Sequence, residues 1–298
     1  MAHDHDHGIT DKNLSLSIVL NAVITLAQII GGFVSGSLSL ISDALHNLSD
    51  VLSLILSLIA HRLAKRKATA ISTFGYKRAE ILVTFINAAT LIIVAVFLMI
   101  EAVERFSNPV FIRSELVIIL SVIGIAFNGF SAMLIKKDAA HNINMKSAYI
   151  HLFTDMLASV GVLIGGILMY YFQWFWVDAA LTFSIALYLI YMGFGILKTS
   201  VKMLMLFTPQ HLKIEKILEI VHQKTGIHQL YHIHLWHLND NAVHFEAHLD
   251  CKENMTITEF NKLTDAIEEV LLHEFQINHC TIQPEFEKKG AKEFIIQE

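Results

Sequence analysis

Long apolar runs alternate with short polar connections over the first two-thirds of the chain. Six of them approach the ~20 residues a helix needs to cross a bilayer: Leu14–Val34, Leu38–Ala60, Ile81–Ile100, Leu116–Ile135, Lys146–Phe172 and Ala179–Leu197. Only Ser35-Gly36-Ser37 separates the first two, which predicts a tight hairpin. Past Lys198 the pattern shortens. Ile214, Ile217, Leu218 and Val221 recur at helical spacing, and Phe260, Leu263, Ile267 and Leu271 do the same. Gln229–Leu238 and Val243–Asp250 alternate as strands around a turn at Asn239-Asp240-Asn241, and His279–Phe286 reads as a last strand. The predicted fold is a polytopic six-helix membrane protein with a C-terminal αββαβ domain, an antiparallel sheet with its helices on one face. The expected boundaries are a His-rich tail over 1–12, a transmembrane domain over 13–207, an α+β domain over 208–287, and a loose polar tail over 288–298.

Composition supports lipid as the solvent. The chain has 298 residues, of which 54% are apolar and only 16% charged, against about 25% charged in soluble domains. Its net charge of −5 argues against nucleic acid as a partner. The two cysteines, Cys251 and Cys280, imply no disulfide framework and read as ordinary thiols. No basic stretch precedes the first apolar run, so that run is expected to stay as an anchor rather than a cleaved signal. Arg62, Lys65, Arg66, Lys67, Lys77 and Arg78 follow the second span, and Lys136, Lys137 and Lys146 follow the fourth. The other side has only Arg105 and Arg113, so the basic loops and both termini are expected in the cytoplasm.

The first, third, fourth and sixth spans contain no ionisable side chain, which makes the second and fifth conspicuous. The second holds Asp43, His46 and Asp50; the fifth holds His151 and Asp155. Ionisable groups inside a membrane are costly, at roughly 2.5 kcal/mol or more each, and mark ion pathways. Residues four apart share a helix face, so each helix presents one imidazole and one carboxylate in one direction. A lone polar residue in a span reads as glue between helices; a repeated His-x-x-x-Asp pair does not. Two such faces opposed give two nitrogens and two oxygens, a set that suits tetrahedral Zn²⁺. Co²⁺ and Ni²⁺ are also compatible. Ser39, Asp43, His46, Asp50, Ser53 and Ser57 form a polar stripe on one helix, and His151, Asp155 and Ser159 form one on the other. Asp43 reads equally as a proton-path group or as a cap near the start of its helix. Counted from the outer ends of the spans, the two pairs lie at depths that differ by roughly 13 Å.

At these residues the sequence resembles the cation diffusion facilitator family, over nearly its whole length. Gly36-Ser37-Leu38-Ser39-Leu40, Ser42-Asp43-Ala44-Leu45-His46-Asn47-Leu48-Ser49-Asp50, Phe74-Gly75-Tyr76-Lys77-Arg78-Ala79-Glu80 and His151-Leu152-Phe153-Thr154-Asp155 carry the likeness. His234-Leu235-Trp236 and Thr281-Ile282-Gln283-Pro284-Glu285 extend it into the tail domain. The resemblance implies a homodimer with a metallochaperone-like cytoplasmic domain, which exports metal in exchange for protons by alternating access. It implies a transport site at His46, Asp50, His151 and Asp155, of the zinc type that also tolerates Co²⁺ and Cd²⁺. A bacterial inner membrane is the expected location, and no enzymatic activity is expected.

Ten of the 17 histidines follow Lys198. Strand alternation puts His232, His234 and Trp236 on one face, with His244, Glu246 and His248 beside them. A hairpin turning at Asp240 would set His232 opposite His248 and His234 opposite Glu246, about 5 Å apart. With His279, Cys280 and Glu285, this face is a candidate second zinc site, structural or regulatory; a solvated polar face is the alternative. The family has a histidine more often than Tyr231 before the His-x-Trp motif, and some members have a ligand in place of Asn261, so the ligand set departs from the pattern. His3, His5 and His7 form either a weak zinc-capturing tail or a plain polar one. An intramembrane protease needs HExxH, and His273-Glu274-Phe275-Gln276-Ile277 lacks its second histidine. A metal sensor would use the same four residues without turnover. A channel conducts too fast for so tight a site.

Overall fold

The computed structural model describes residues 7–136, 143–288 and 293–295, with α1 side chains from Val19 onward. His3 and His5, like the His7 side chain, fall outside the described residues. The chain divides into two compact units, 1–58 with 86–197 and 59–85 with 198–298.

The six apolar runs form α1 (His7–Ser35), α2 (Leu38–Ala64), α3 (Ala79–Ser107), α4 (Ser114–Ile135), α5 (Ile143–Phe172) and α6 (Trp176–Leu204). Helices satisfy every backbone group internally, which hydrocarbon demands. Among the described residues, α2, α3, α4, α5 and α6 are long and apolar enough to cross a membrane, and α1 contributes the apolar segment Val19–Ser35. Their surface is the reverse of a soluble protein's. Ile93, Phe97, Ile100 and Met133 face outward, whereas Gln28, Asp43, Asn47, Asn128, Asp155 and Ser159 are buried. Gly36, at φ +78°, makes the left-handed turn between α1 and α2 that a side chain would strain.

The second compact unit contains α7 (Ile214–Thr225), β1 (Gln229–Asn239), β2 (Ala242–Cys251), α8 (Ile257–Phe275) and β3 (His279–Phe286). Gly226 ends α7 at φ +68°. Thr256 and Glu259 start α8 with reciprocal side-chain to backbone bonds. Ile217, Val221, Ile267 and Leu271 of the helices share one core with Phe245 and Leu249 of the sheet. The helices therefore cover one face, as expected.

The sheet itself corrects the reading. Its order is β1-β2-β3, with β1 and β2 antiparallel but β2 and β3 parallel. The 19-residue α8 lies between β2 and β3, and a helical crossover returns the chain in the same direction. The hairpin register shifts as well. Tyr231, not His232, is opposite His248, while His234 does face Glu246. The cause is a bulge at His232, whose φ is +50°. The tail is not loose throughout either: the carbonyls of Glu293 and Phe294 accept hydrogen bonds from the N–H groups of His232 and Ile233.

Candidate metal centre

Moving along α2 from Asp43 to His46 to Asp50 moves back along α5 from Ser159 to Asp155 to His151. Ser159 Oγ donates to Asp43 Oδ2 at 3.2 Å. His46 Nε2 lies 3.7 Å from Asp155 Oδ1, and His151 Nε2 lies 3.3 Å from Asp50 Oδ2. The four-residue spacing on each antiparallel helix thus brings all four side chains together. The expected depth offset does not exist. It assumed level outer ends, but α5 continues 13 residues past Ser159 to Phe172, whereas α2 begins only five residues before Asp43.

Within each helix, His46 Nδ1 is 3.6 Å from Asp50 Oδ2, and His151 Nε2 is 3.5 Å from Asp155 Oδ2. These separations exceed a hydrogen bond. They lie close to the edge of a tetrahedron around zinc, about 3.3–3.4 Å for ligand bonds of about 2.0–2.1 Å. Among the described residues, His46 Nδ1, Asp50 Oδ2 and both Asp155 carboxylate oxygens find no hydrogen-bond partner, although they are buried. Such groups are costly unless another partner is supplied. The quartet is not yet closed, because His46 turns one nitrogen to each carboxylate. As they stand, no three His, Cys, Asp or Glu side chains among the described residues are set to hold an ion. Turning the His46 ring about its side-chain torsions would aim one nitrogen at the others. Exposure rises along the site, from Asp155 (1%) to Asp50 (29%) and His151 (42%).

Further along α2, Asp43 is buried five residues inside the helix, so it is not a cap. Gln28 of α1 donates to its Oδ2 at 3.1 Å, beside Ser159. Asn47 reaches Gln28 Oε1 at 3.5 Å. The sequence reading missed Gln28 and Asn47, along with the buried Ser121 and Asn128 of α4. An uncharged polar residue in an apolar run carries little sequence signal, but its burial in a lipid-facing helix makes it stand out. Gly124 of α4 passes so close to this network that a Cβ there would meet Gln28 Nε2 at 3.0 Å and Ser159 Oγ at 3.1 Å.

The histidine-rich face of the sheet splits into two places. His232, His234 and His248 cluster, with the His232 and His248 rings 4.6 Å apart. Glu285 joins them: His248 Nδ1 lies 2.9 Å from its Oε1, and Tyr231 and Lys288 donate to its two oxygens. Burial first, then His232, Lys288 and His234, pushes the His248 pKa below the usual imidazole value. His248 Nδ1 thus lies against a carboxylate that Lys288 already pairs with. His279 does not join this cluster. The register pairs it with His244, six positions from Glu285 along β3 and about 20 Å away. There it packs ring on ring with His244, beside Trp236 and Phe74. Cys280 pairs in register with the core residue Phe245, five positions from Glu285 along β3, and burial pushes its thiol up to about 12. Cys251 is a buried free thiol.

Comparison with known proteins matches both parts of the chain. The family described as cation efflux transmembrane domain matches residues 14–205, and the one described as cation efflux protein, cytoplasmic domain, matches residues 209–287. A cadmium, cobalt and zinc/H(+)-K(+) antiporter of Bacillus subtilis (strain 168) is 36% identical over 298 residues, covering 99% of this chain and 96% of its own. The metal cation efflux system protein CzcD of Cupriavidus metallidurans is 31% identical, with 94% and 89% covered. The zinc transporter ZitB of Pectobacterium atrosepticum is 31% identical, with 97% and 90% covered.

Proposed function

Because the chain belongs to the cation efflux family, we propose that it exports Zn²⁺, with Co²⁺ and Cd²⁺ as further cargo, from the cytoplasm in exchange for protons. The observation that carries this is the meeting of His46, Asp50, His151 and Asp155 at 3.3–3.7 Å, with buried oxygens that find no hydrogen-bond partner among the described residues. The relatives named as cadmium, cobalt and zinc antiporters and zinc transporters favour the same cargo.

Metal binding requires neutral imidazole and ionised carboxylate, so metal and protons compete for the same four side chains. Protons arriving from the outer side would displace the ion, and rocking of helices would expose the site to each side in turn. Exposure increases toward the C-terminal end of α2, which leads into the basic connection Arg62–Arg78. Basic loops favour the cytoplasm, so this conformation is read as open inward. Asp43, held by Gln28 and Ser159, is the proton-path candidate.

The same reading places the chain as a homodimer in a bacterial inner membrane, with both termini cytoplasmic. It divides the chain into a tail over 1–12, a transmembrane domain over 13–207, a cytoplasmic domain over 208–287 and a tail over 288–298. His232, His248 and Glu285, with His234 beside them, are proposed to take a regulatory zinc ion once Lys288 and Tyr231 are displaced. Purified protein in proteoliposomes tests the central reading. Zinc uptake should be driven by an imposed pH gradient and abolished in Asp155→Ala. Uptake indifferent to the gradient refutes the exchange.

A further inference from the structure

The α1–α2 turn is buried although its side chains are polar: Ser35 is 2% exposed, and Ser37 and Ser39 are 0%. The carboxylate of Asp178, third residue of α6 and itself buried, grips this turn. Its Oδ1 accepts from the hydroxyls of Ser37 and Ser39, both at 2.6 Å, and from the Ser39 N–H at 3.3 Å. Its Oδ2 accepts the Leu38 N–H at 2.7 Å. Ser37 Oγ in turn accepts the Leu40 N–H at 3.2 Å. The first N–H groups of a helix have no partner within it. Here three of them are satisfied, two by a carboxylate from another helix. Negative charge stabilises a helix N-terminus, and α2 has no acidic residue in its own first turn. Arg105 Nη1 adds a bond to Gly36 O at 2.7 Å, and the Arg113 N–H adds one to Ser35 O at 3.0 Å.

His46 lies eight residues beyond Leu38, about 12 Å along the axis. A slip of α2 by one residue would turn His46 and Asp50 through about 100°, away from His151 and Asp155. The geometry points to Asp178 as a positioning residue for metal binding, which locks the start of α2 to α6 and so sets the height and rotation of His46 and Asp50. This rests on the proposed role of the quartet. Asp178 acts through α2 and need not touch the ion.

The test is zinc uptake by the full-length protein in proteoliposomes, with D178N, S39A, the double variant and H46A beside wild type. Asparagine keeps the shape but gives up the charge and one acceptor. In D178N, KM for zinc should rise about tenfold, the scale of one lost charge-assisted hydrogen bond. Maximal rate should stay within about twofold, and bound Co²⁺ should lose tetrahedral absorption intensity. S39A, which keeps Asp178, should raise KM about threefold, and the double variant should be no worse than D178N. Wild-type KM and Co²⁺ absorption in both D178N and S39A would overturn the assignment. A loss of rate that only tracks a lowered unfolding temperature, with KM unchanged, would overturn it too. If H46A transports at the wild-type rate, the quartet reading itself fails. If H46A is inactive and D178N has a normal KM, only the Asp178 assignment fails.

Discussion

The protein contains two clusters of histidine and carboxylate that treat their carboxylates in opposite ways. In the tail domain, Glu285 accepts hydrogen bonds from Tyr231 and Lys288 and lies 2.9 Å from His248 Nδ1. Between α2 and α5, the two Asp155 oxygens and Asp50 Oδ2 are buried without a hydrogen-bond partner among the described residues, and the neighbouring imidazole nitrogens stand at 3.3–3.7 Å. Residue type alone does not separate the clusters. What differs is whether the protein has already paired the carboxylates: Glu285 is held on both oxygens, with His232 Nε2 the atom of that cluster left without a partner among the described residues, whereas the carboxylates of the quartet gain most from an ion or protons.

That contrast is exposed to experiment. The largest effect should come from His46→Ala or Asp155→Ala, each lowering zinc uptake in proteoliposomes at least ~100-fold, since even groups behind a ligand cost 10–100-fold. Glu285→Ala should leave uptake within a few-fold. It should instead destabilise the chain by about 1–3 kcal/mol, because His248, Tyr231 and Lys288 lose a shared partner; urea unfolding followed by tryptophan fluorescence measures this. If Glu285→Ala stops uptake as completely as Asp155→Ala, the contrast is wrong. Gly124→Ala should push Gln28 or Ser159 off Asp43 and slow uptake a few-fold, as overpacking of about 1–3 kcal/mol allows. An unchanged rate would remove Asp43 from the proton path.

The smallest effect concerns pH and the tail domain. Burial first, then His279, Lys77 and Arg78, holds His244 below the ordinary imidazole range. An unfolded histidine takes up its proton near pH 6.5. The folded domain resists that proton, so the unfolded state binds more protons below this pH. Stability is therefore full above about 6.5 and declines as the pH falls toward the folded value. His244→Gln should flatten the dependence of the unfolding midpoint between pH 7.5 and 5.5. An equally steep dependence in the variant would assign the effect elsewhere.

The quartet was legible because charge inside an apolar run is rare and four-residue spacing is a face. Its partner groups were less so. Gln28 and Asn47 are uncharged, and Asp178 sits just before the apolar window of α6, bonded to residues about 140 positions away. The depth offset misled because a hydropathy window cannot tell that α5 outruns α2 by eight residues at one end. In the tail domain, alternation identified the buried face of β2 correctly. It failed at His232, because one bulged residue shifts the pairings of Tyr231, Leu230 and Gln229, which lie beyond it from the turn. Treating the sheet as antiparallel ignored what α8 does to chain direction, and pooling His279 with Glu285 ignored the length of β3.

Anomalous diffraction at the zinc edge, from crystals of the zinc-loaded full-length protein, tests the central claim most directly. The account predicts a peak between α2 and α5, bonded at about 2.0–2.2 Å to His46, Asp50, His151 and Asp155, with the His46 ring turned inward. Zinc found only at His232, His248 and Glu285, with the quartet unbound, would contradict it.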